Sequence, residues 1–322
     1  MCYPTVIPYP MKPTHHVLMV RPASFRANEQ TAATNYYQKQ TSLTAAQSLM
    51  RAQSEFDALV SCLRMNSIKV TVVQDRLTPD TPDALFPNNW FALLGKGQLV
   101  LFPMFAENRR AERSNRIFEA LSKEGYDVMH TVDYSEYEKK QQFLEGTGSM
   151  VLDHQNSIAY CALSARADAQ LFNLFCEAFS FKPVVFHAYQ TVGTTRLLIY
   201  HTNVMMVVAP DFALVCLDAV DDPKERASLQ DSLTFSGKVV IPLTEQQLAQ
   251  FAGNMLALTA TDGKALLVMS TRAYNALTSK QMVQLQQYVK LVHSPIPTIE
   301  DLGGGSVRCM LCLLYTSDAA DD

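Results

Sequence analysis

Short runs of β-branched and aliphatic residues recur along this chain with amphipathic helical segments between them, and that alternation limits the fold more than any single residue does. Apolar residues at Ala45, Leu49, Ala52, Phe56, Leu59, Val60 and Leu63 keep helical spacing, and a β-branched run over 68–73 follows. Further strands are expected near 91, 99–102, 126–131, 149–152, 157–163, 183–186, 197–201, 204–208, 212–217, 238–242 and 265–270, with one more approaching the C-terminus. Helices are expected over 107–123, 167–179, 223–233, 245–252 and 279–290. About five strand-strand-helix-strand units fit this length, a repeat of pattern rather than of letters. No Pro/Gly/Ser tract divides the chain, so the expectation is one α/β domain.

Composition narrows the partners. Of 322 residues 48% are hydrophobic and 18% charged, which argues against disorder and coiled coils. A net charge of −4 leaves no electrostatic footprint for nucleic acid or anionic lipid. The longest apolar stretches, such as 99–106, are far shorter than a membrane span, and prolines interrupt residues 1–16 where a signal peptide needs a continuous apolar run. Seven cysteines, an odd number, read as reduced thiols, and a cytoplasmic protein is expected. Oligomeric state is not readable.

Glycine is scarce, twelve in all, yet Gly146 and Gly148 share one short motif and Gly303, Gly304 and Gly305 another. Such concentration marks close backbone approach at two places. The first motif, Glu145-Gly146-Thr147-Gly148, is either a turn with an exposed carboxylate or a carboxylate set beside a ligand. Tyr200-His201-Thr202-Asn203 offers a histidine between apolar runs, which reads equally as a structural residue. Gly303 to Met310 holds Cys309, either inert packing or a nucleophile. Phe86-Pro87-Asn88-Asn89-Trp90 carries paired amides that could merely cap a turn, and Ser164-Ala165-Arg166 could be an N-cap and a solvated arginine. No nucleophile elbow, dinucleotide fingerprint or phosphate loop is present, and Cys309-x-x-Cys312 has no second pair to complete a zinc site. Neither cofactor nor metal is expected.

Taken in order, these clusters resemble the pentein superfamily of arginine deiminase, dimethylarginine dimethylaminohydrolase and the amidinotransferases. Phe86-x-x-Asn89 is similar to its Phe-x-x-Asp motif, Glu145-Gly146 to Glu-Gly-Gly-Asp, and Ser164-x-Arg166 to Gly-x-Ser-x-Arg. His201 is similar to the His of His-x-Asp, and the 303–310 segment to Gly-Gly-x-x-Cys. The resemblance covers about residues 15–310 and implies a five-bladed α/β propeller with a small amino-acid substrate at its axis. It also implies Cys309, His201 and Glu145 as catalytic residues, with Phe86, Asn88, Asn89, Arg166 and Asn203 around the substrate and Arg166 holding its carboxylate.

Two departures separate the chain from deiminases: Asn89 and Asn203 stand where those enzymes have acids that grip a guanidinium. Losing one partner of a buried charge pair costs roughly 3–5 kcal/mol. A neutral ureido group suits an amide better, since Asn both donates and accepts. The pattern is most similar to the citrulline-utilisation branch, and implies hydrolysis of citrulline to ornithine, ammonia and carbon dioxide through a covalent cysteine adduct. Guanidine hydrolysis of the deiminase or dimethylarginine type and amidino transfer are the alternatives within the superfamily. A non-catalytic pentein used for binding is the alternative from another class. An ordinary thiol, with a pKa near 8.5, is mostly protonated at neutral pH. Because Arg308 precedes Cys309 on an expected strand and would face away, His201 is expected to take the thiol proton.

The last residues, 312–322, resemble the translation of a sequencing adapter. On that reading the single domain spans 1–311 and the tail is non-native.

Overall fold

The computed structural model describes residues 14–315 apart from Lys96 and Asp127. The leader reading of residues 1–16 therefore falls largely outside the described residues, as do residues 316–322 of the tail.

Among the described residues, five three-stranded sheets share one topology, in which the middle strand runs antiparallel to one neighbour and parallel to the other. Four are contiguous in sequence: Phe91–Leu94, Gln98–Leu101 and His130–Asp133; Met150–Asp153, Ile158–Ala162 and Lys182–Phe186; Met206–Val208, Phe212–Val215 and Val239–Pro242; Leu256–Thr259, Ala265–Ser270 and Lys290–Ser294. The fifth joins His16–Arg21 to Lys69–Gln74 in parallel and, with Val17 opposite Leu313, to an antiparallel strand Cys312–Leu313 that falls in the segment the sequence reading sets apart as non-native. Helices carry the parallel crossovers, as parallel pairing requires. A two-stranded hairpin, Tyr189–Val192 with Thr195–Leu198, stands outside this set.

The helix Ala45–Met65 forms where the apolar spacing places it, and it buries Ala52, Phe56, Leu59, Val60 and Leu63. Each large apolar side chain so buried contributes about 1.5–3 kcal/mol. Its start is fixed by a capping box, in which Thr44 accepts from the Gln47 backbone and the Gln47 side chain returns to the Thr44 N–H.

Several boundaries differ from the sequence expectation for local reasons. The helix expected over 107–123 is two helices, Glu107–Arg110 and Asn115–Lys123, because Ser114 caps the second. The segment after it pairs only at His130–Asp133. The helix expected over 279–290 ends at Leu285, and Lys290–Ser294 forms a strand. His16–Arg21, the Tyr189–Val192 arm of the hairpin and Leu256–Thr259 are strands that the sequence expectation leaves out. Asp168, not Ser164, caps Ala169–Ala178.

Four of the five polar clusters lie immediately ahead of strands, whereas Ser164–Arg166 follows Ile158–Ala162. Pro87–Asn89 leads into Phe91–Leu94, Gly146–Ser149 into Met150–Asp153, Thr202–Val204 into Met206–Val208, and Val307–Met310 into Cys312–Leu313. These four lead-ins are single helical turns, and the first packs against the second and the fourth. Asn254 holds the corresponding place ahead of Leu256–Thr259. Cys309 thus sits in a helical turn rather than on the expected strand, so strand alternation does not set the direction of Arg308. The Arg308 guanidinium instead donates to the Leu311 carbonyl at 3.1 Å.

Candidate active site

Glycine explains how the lead-in turns converge. A Cβ at Gly148 would overlap Asn89 Nδ2 and lie 2.8 Å from His201 Nδ1, so only the absence of a side chain lets the two groups flank that turn. At the other glycine cluster, a Cβ on Gly303 would come 2.7 Å from the Phe86 ring. Gly304 has φ +63°, and the Asn35 amide lies beneath it, donating to the Gly303 and Gly304 carbonyls at 3.2 and 3.3 Å.

Glu145, fully buried, accepts from the Phe105 N–H at 2.9 Å through Oε1, and its Oε2 lies 2.8 Å from His201 Nε2 and 3.6 Å from the Arg166 guanidinium. Burial pushes the Glu145 carboxyl up, but Arg166, His201 and Arg109 outweigh it and hold it down at about 2. Burial lowers His201 to about 4, only partly opposed by Glu145. At neutral pH the pair is a carboxylate facing a neutral imidazole. Since the carboxylate can only accept, Nε2 carries the ring proton and Nδ1, beside Gly148, presents a lone pair.

Arg166 reaches Glu145 because the 143–145 and 166–168 segments bridge, with the Glu145 N–H donating to the Arg166 carbonyl at 3.2 Å. Its guanidinium donates to Thr34 Oγ1 at 2.6 Å and to the Thr31 carbonyl at 3.1 Å, and stacks 4.8 Å above the Tyr200 ring. The fork that sequence reasoning offers to a substrate carboxylate is therefore engaged inside the protein.

Cys309, 3% exposed, is met by two amides: Asn254 Nδ2 lies 3.2 Å and Asn203 Nδ2 3.6 Å from its sulfur. Asn203 also donates to the Thr147 carbonyl at 3.2 Å, which ties the cysteine turn to the glutamate turn. Asn88 donates to Thr147 Oγ1 at 3.3 Å, and its Oδ1 is buried with no partner among the described residues. Asn89 accepts from Arg109 at 2.7 Å, and its Nδ2 is likewise buried and unpartnered. Phe86 packs in the same apolar cluster as Cys309 and against Gly303 and Gly305.

All eight side chains expected at the site are thus buried within one connected set. Sequence reasoning missed Asn254 and Arg109. Position in the repeat could have found the first; nothing in the charged run around Arg109 marks it as buried.

The family described as N,N dimethylarginine dimethylhydrolase, eukaryotic, matches residues 21–316. The chain belongs to this family, and so to the penteins. Among solved structures, the substrate-bound N-terminal domain of ArgZ, an arginine dihydrolase from the ornithine-ammonia cycle in cyanobacteria, is similar with TM-score 0.67 and 16% identity, covering 92% of this chain and 96% of that one. AgrE in complex with ornithine and NAD+ gives 0.70 at 16% identity, covering 94% of this chain and 39% of the longer protein. Dimethylarginine dimethylaminohydrolase in an adduct with S-methyl-L-thiocitrulline gives 0.58 at 14%, covering 94% and 99%. At these identities the structural likenesses establish a shared α/β fold. No match to a curated protein reaches significance. Among the described residues no helix is long and apolar enough to cross a membrane.

Proposed function

We propose that this family member is a cysteine hydrolase acting on the ureido carbon of a small amino acid, with citrulline the first substrate, and that its five sheets stand as blades around the site in one domain. The single observation that carries the reading is the environment of Cys309, whose sulfur is met by the neutral amides of Asn203 and Asn254. Amides suit a neutral group that both donates and accepts, whereas a guanidinium cation asks for carboxylates.

In this reading Cys309 transfers its proton to His201, whose imidazolium is stabilised by Glu145. The thiolate attacks the ureido carbon to form a tetrahedral intermediate. His201 returns the proton to the departing amine as the C–N bond breaks, leaving a thioester-like adduct on sulfur. Water, deprotonated by His201, then adds to that carbon and the C–S bond breaks. The carbamic acid released loses carbon dioxide, so one water converts citrulline to ornithine, ammonia and carbon dioxide. Arg166 acts by holding Glu145 ionised, and a cytoplasmic setting fits reduced thiols.

The match to a dimethylarginine hydrolase family favours a second reading, hydrolysis of a methylated guanidine. Product release from citrulline, arginine, the methylarginines and agmatine separates the two. Ammonia and ornithine from citrulline are expected; faster turnover of arginine or dimethylarginine overturns the ureido assignment.

A further inference from the structure

A groove of about 590 Å³ opens on the sheet of Leu256–Thr259, Ala265–Ser270 and Lys290–Ser294, and none of the side chains placed at the candidate site lines it. Small-molecule sites occupy roughly 300–1,000 Å³. Its walls carry Lys264, Lys290, Tyr274, Tyr288 and His293, with no Asp or Glu among the lining residues. The sequence around it is one-sided in charge. From Gly263 to Ile299 the chain holds no acidic residue but has Lys264, Arg272, Lys280 and Lys290, although its net charge is −4. Arg272 is engaged by Glu300 at 3.1 Å and Asp301 at 2.8 Å, and Lys264 by Asp262 at 2.7 Å. Lys290 pairs with no acid among the described residues: its ammonium donates to Asn66 Oδ1 at 2.9 Å, which leaves its charge uncompensated and two of its three donors unspent. An amino-acid zwitterion would find no carboxylate here for its ammonium. A group of purely negative charge needs none.

The groove also offers flat surfaces that are held from behind. His293 stacks on Tyr274 with ring centroids 4.1 Å apart and planes 22° apart, and its Nδ1 lies 3.0 Å from Thr271 Oγ1, so the ring is fixed yet exposed. Tyr288, half-buried, is backed by the Phe212 ring at 5.7 Å. Rings already fixed lose little freedom when a second planar group lies against them. The chemistry that uses both halves of the groove at once is a planar ring joined to a phosphate. We infer that this groove is a nucleotide site, in which the base lies against the rings of His293 and Tyr288 and the phosphate meets the ammonium groups of Lys290 and Lys264. The site is separate from the reaction proposed above and does not depend on which bond that reaction breaks.

The test is calorimetric titration of the full chain with AMP, adenosine and inorganic phosphate, at about 50 and about 200 mM salt. AMP should bind at one site, at least about tenfold more tightly than adenosine or phosphate alone, and its affinity should fall about threefold or more with the added salt. Lys264→Gln combined with Lys290→Gln should weaken AMP by about tenfold and abolish the salt dependence. His293→Ala should also weaken AMP by about tenfold, but should keep the salt dependence, because it removes the ring and leaves the charge. All three substituted side chains are exposed, so the unfolding midpoint should stay that of the parent. Failure of AMP to bind at millimolar concentration overturns the inference, as does AMP binding unaltered in the lysine double variant, which would place the nucleotide elsewhere. Phosphate that binds as tightly as AMP is equally fatal, since the rings would then have no part. Should the double variant not fold, the parent decides: an AMP affinity indifferent to salt refutes a site built on lysines.

Discussion

The site has two halves that differ in how their bonding capacity is used. In the charged half, Glu145 accepts from Phe105 and His201, and Arg166 donates to Thr34 and Thr31 while facing Glu145. In the amide half, Asn89 Nδ2 and Asn88 Oδ1 are buried without partners among the described residues. The first half holds charge in a fixed frame, and its capacity is largely spent within the protein. The second keeps hydrogen-bonding capacity in reserve, which is what recognition of a polar group requires. On the proposed reading, stability and recognition are divided between neighbouring turns.

The contrast can be broken most severely in the charged half. Glu145→Gln leaves Arg166 without its carboxylate and His201 without the anion that stabilises its charged form. Urea unfolding should show a loss of about 3–5 kcal/mol, because a buried pair has been broken from one side. Turnover should fall by about 10²–10⁴. A variant as stable as the parent would mean that the two halves are not different in kind.

A smaller effect follows from pH. His201 is lowered to about 4 in the folded protein against an ordinary 6.5, so the unfolded chain binds the extra proton first. Stability therefore falls as pH drops from about 6.5 to about 4, by roughly 3 kcal/mol for one histidine. His16 and His154, also lowered to about 4 by burial, add in the same window. Glu145, held at about 2, contributes stability above its ordinary 4.5 that drains away as pH falls further. His201→Gln should flatten the upper window in part, leaving the share of the other two histidines. An unaltered pH profile of the unfolding midpoint would show that His201 has no part in it. No matching dependence is expected from the amide half, which does not titrate.

The least costly change lies in that second half. Asn88→Ala removes an unpartnered oxygen and one 3.3 Å bond to Thr147, so stability should change by no more than about 1 kcal/mol. KM should nevertheless rise about tenfold if the amide meets the substrate. An unchanged KM would confine recognition to Asn89, Asn203 and Asn254.

Glu145, His201 and Cys309 are visible in the sequence because each sits beside glycines or between apolar runs, in an order that means something together. The long helix is visible because its buried face repeats at helical spacing. Arg109 is hidden: it lies in Glu107-Asn108-Arg109-Arg110, a run that reads as solvated, and its burial comes from Glu112 and Asn89 rather than from local pattern. Asn254 is hidden because no motif surrounds it and only its place ahead of Leu256–Thr259 aligns it with Asn89, Asn203 and Cys309. His16–Arg21 has a local signal in the run Val17-Leu18-Met19-Val20, and what the sequence hides is its antiparallel pairing with the far end of the described chain.

Asn89, Asn203, Asn254 and Cys309 each arrive from a separate turn ahead of a separate sheet, so four distant stretches of chain each contribute one group to the candidate site. On the proposed reading, a point mutation in one turn would alter one contact to the substrate while leaving the sheets in place. A directed-evolution library confined to positions 88, 89, 203 and 254 would search the recognition surface while leaving the Glu145–His201 frame intact.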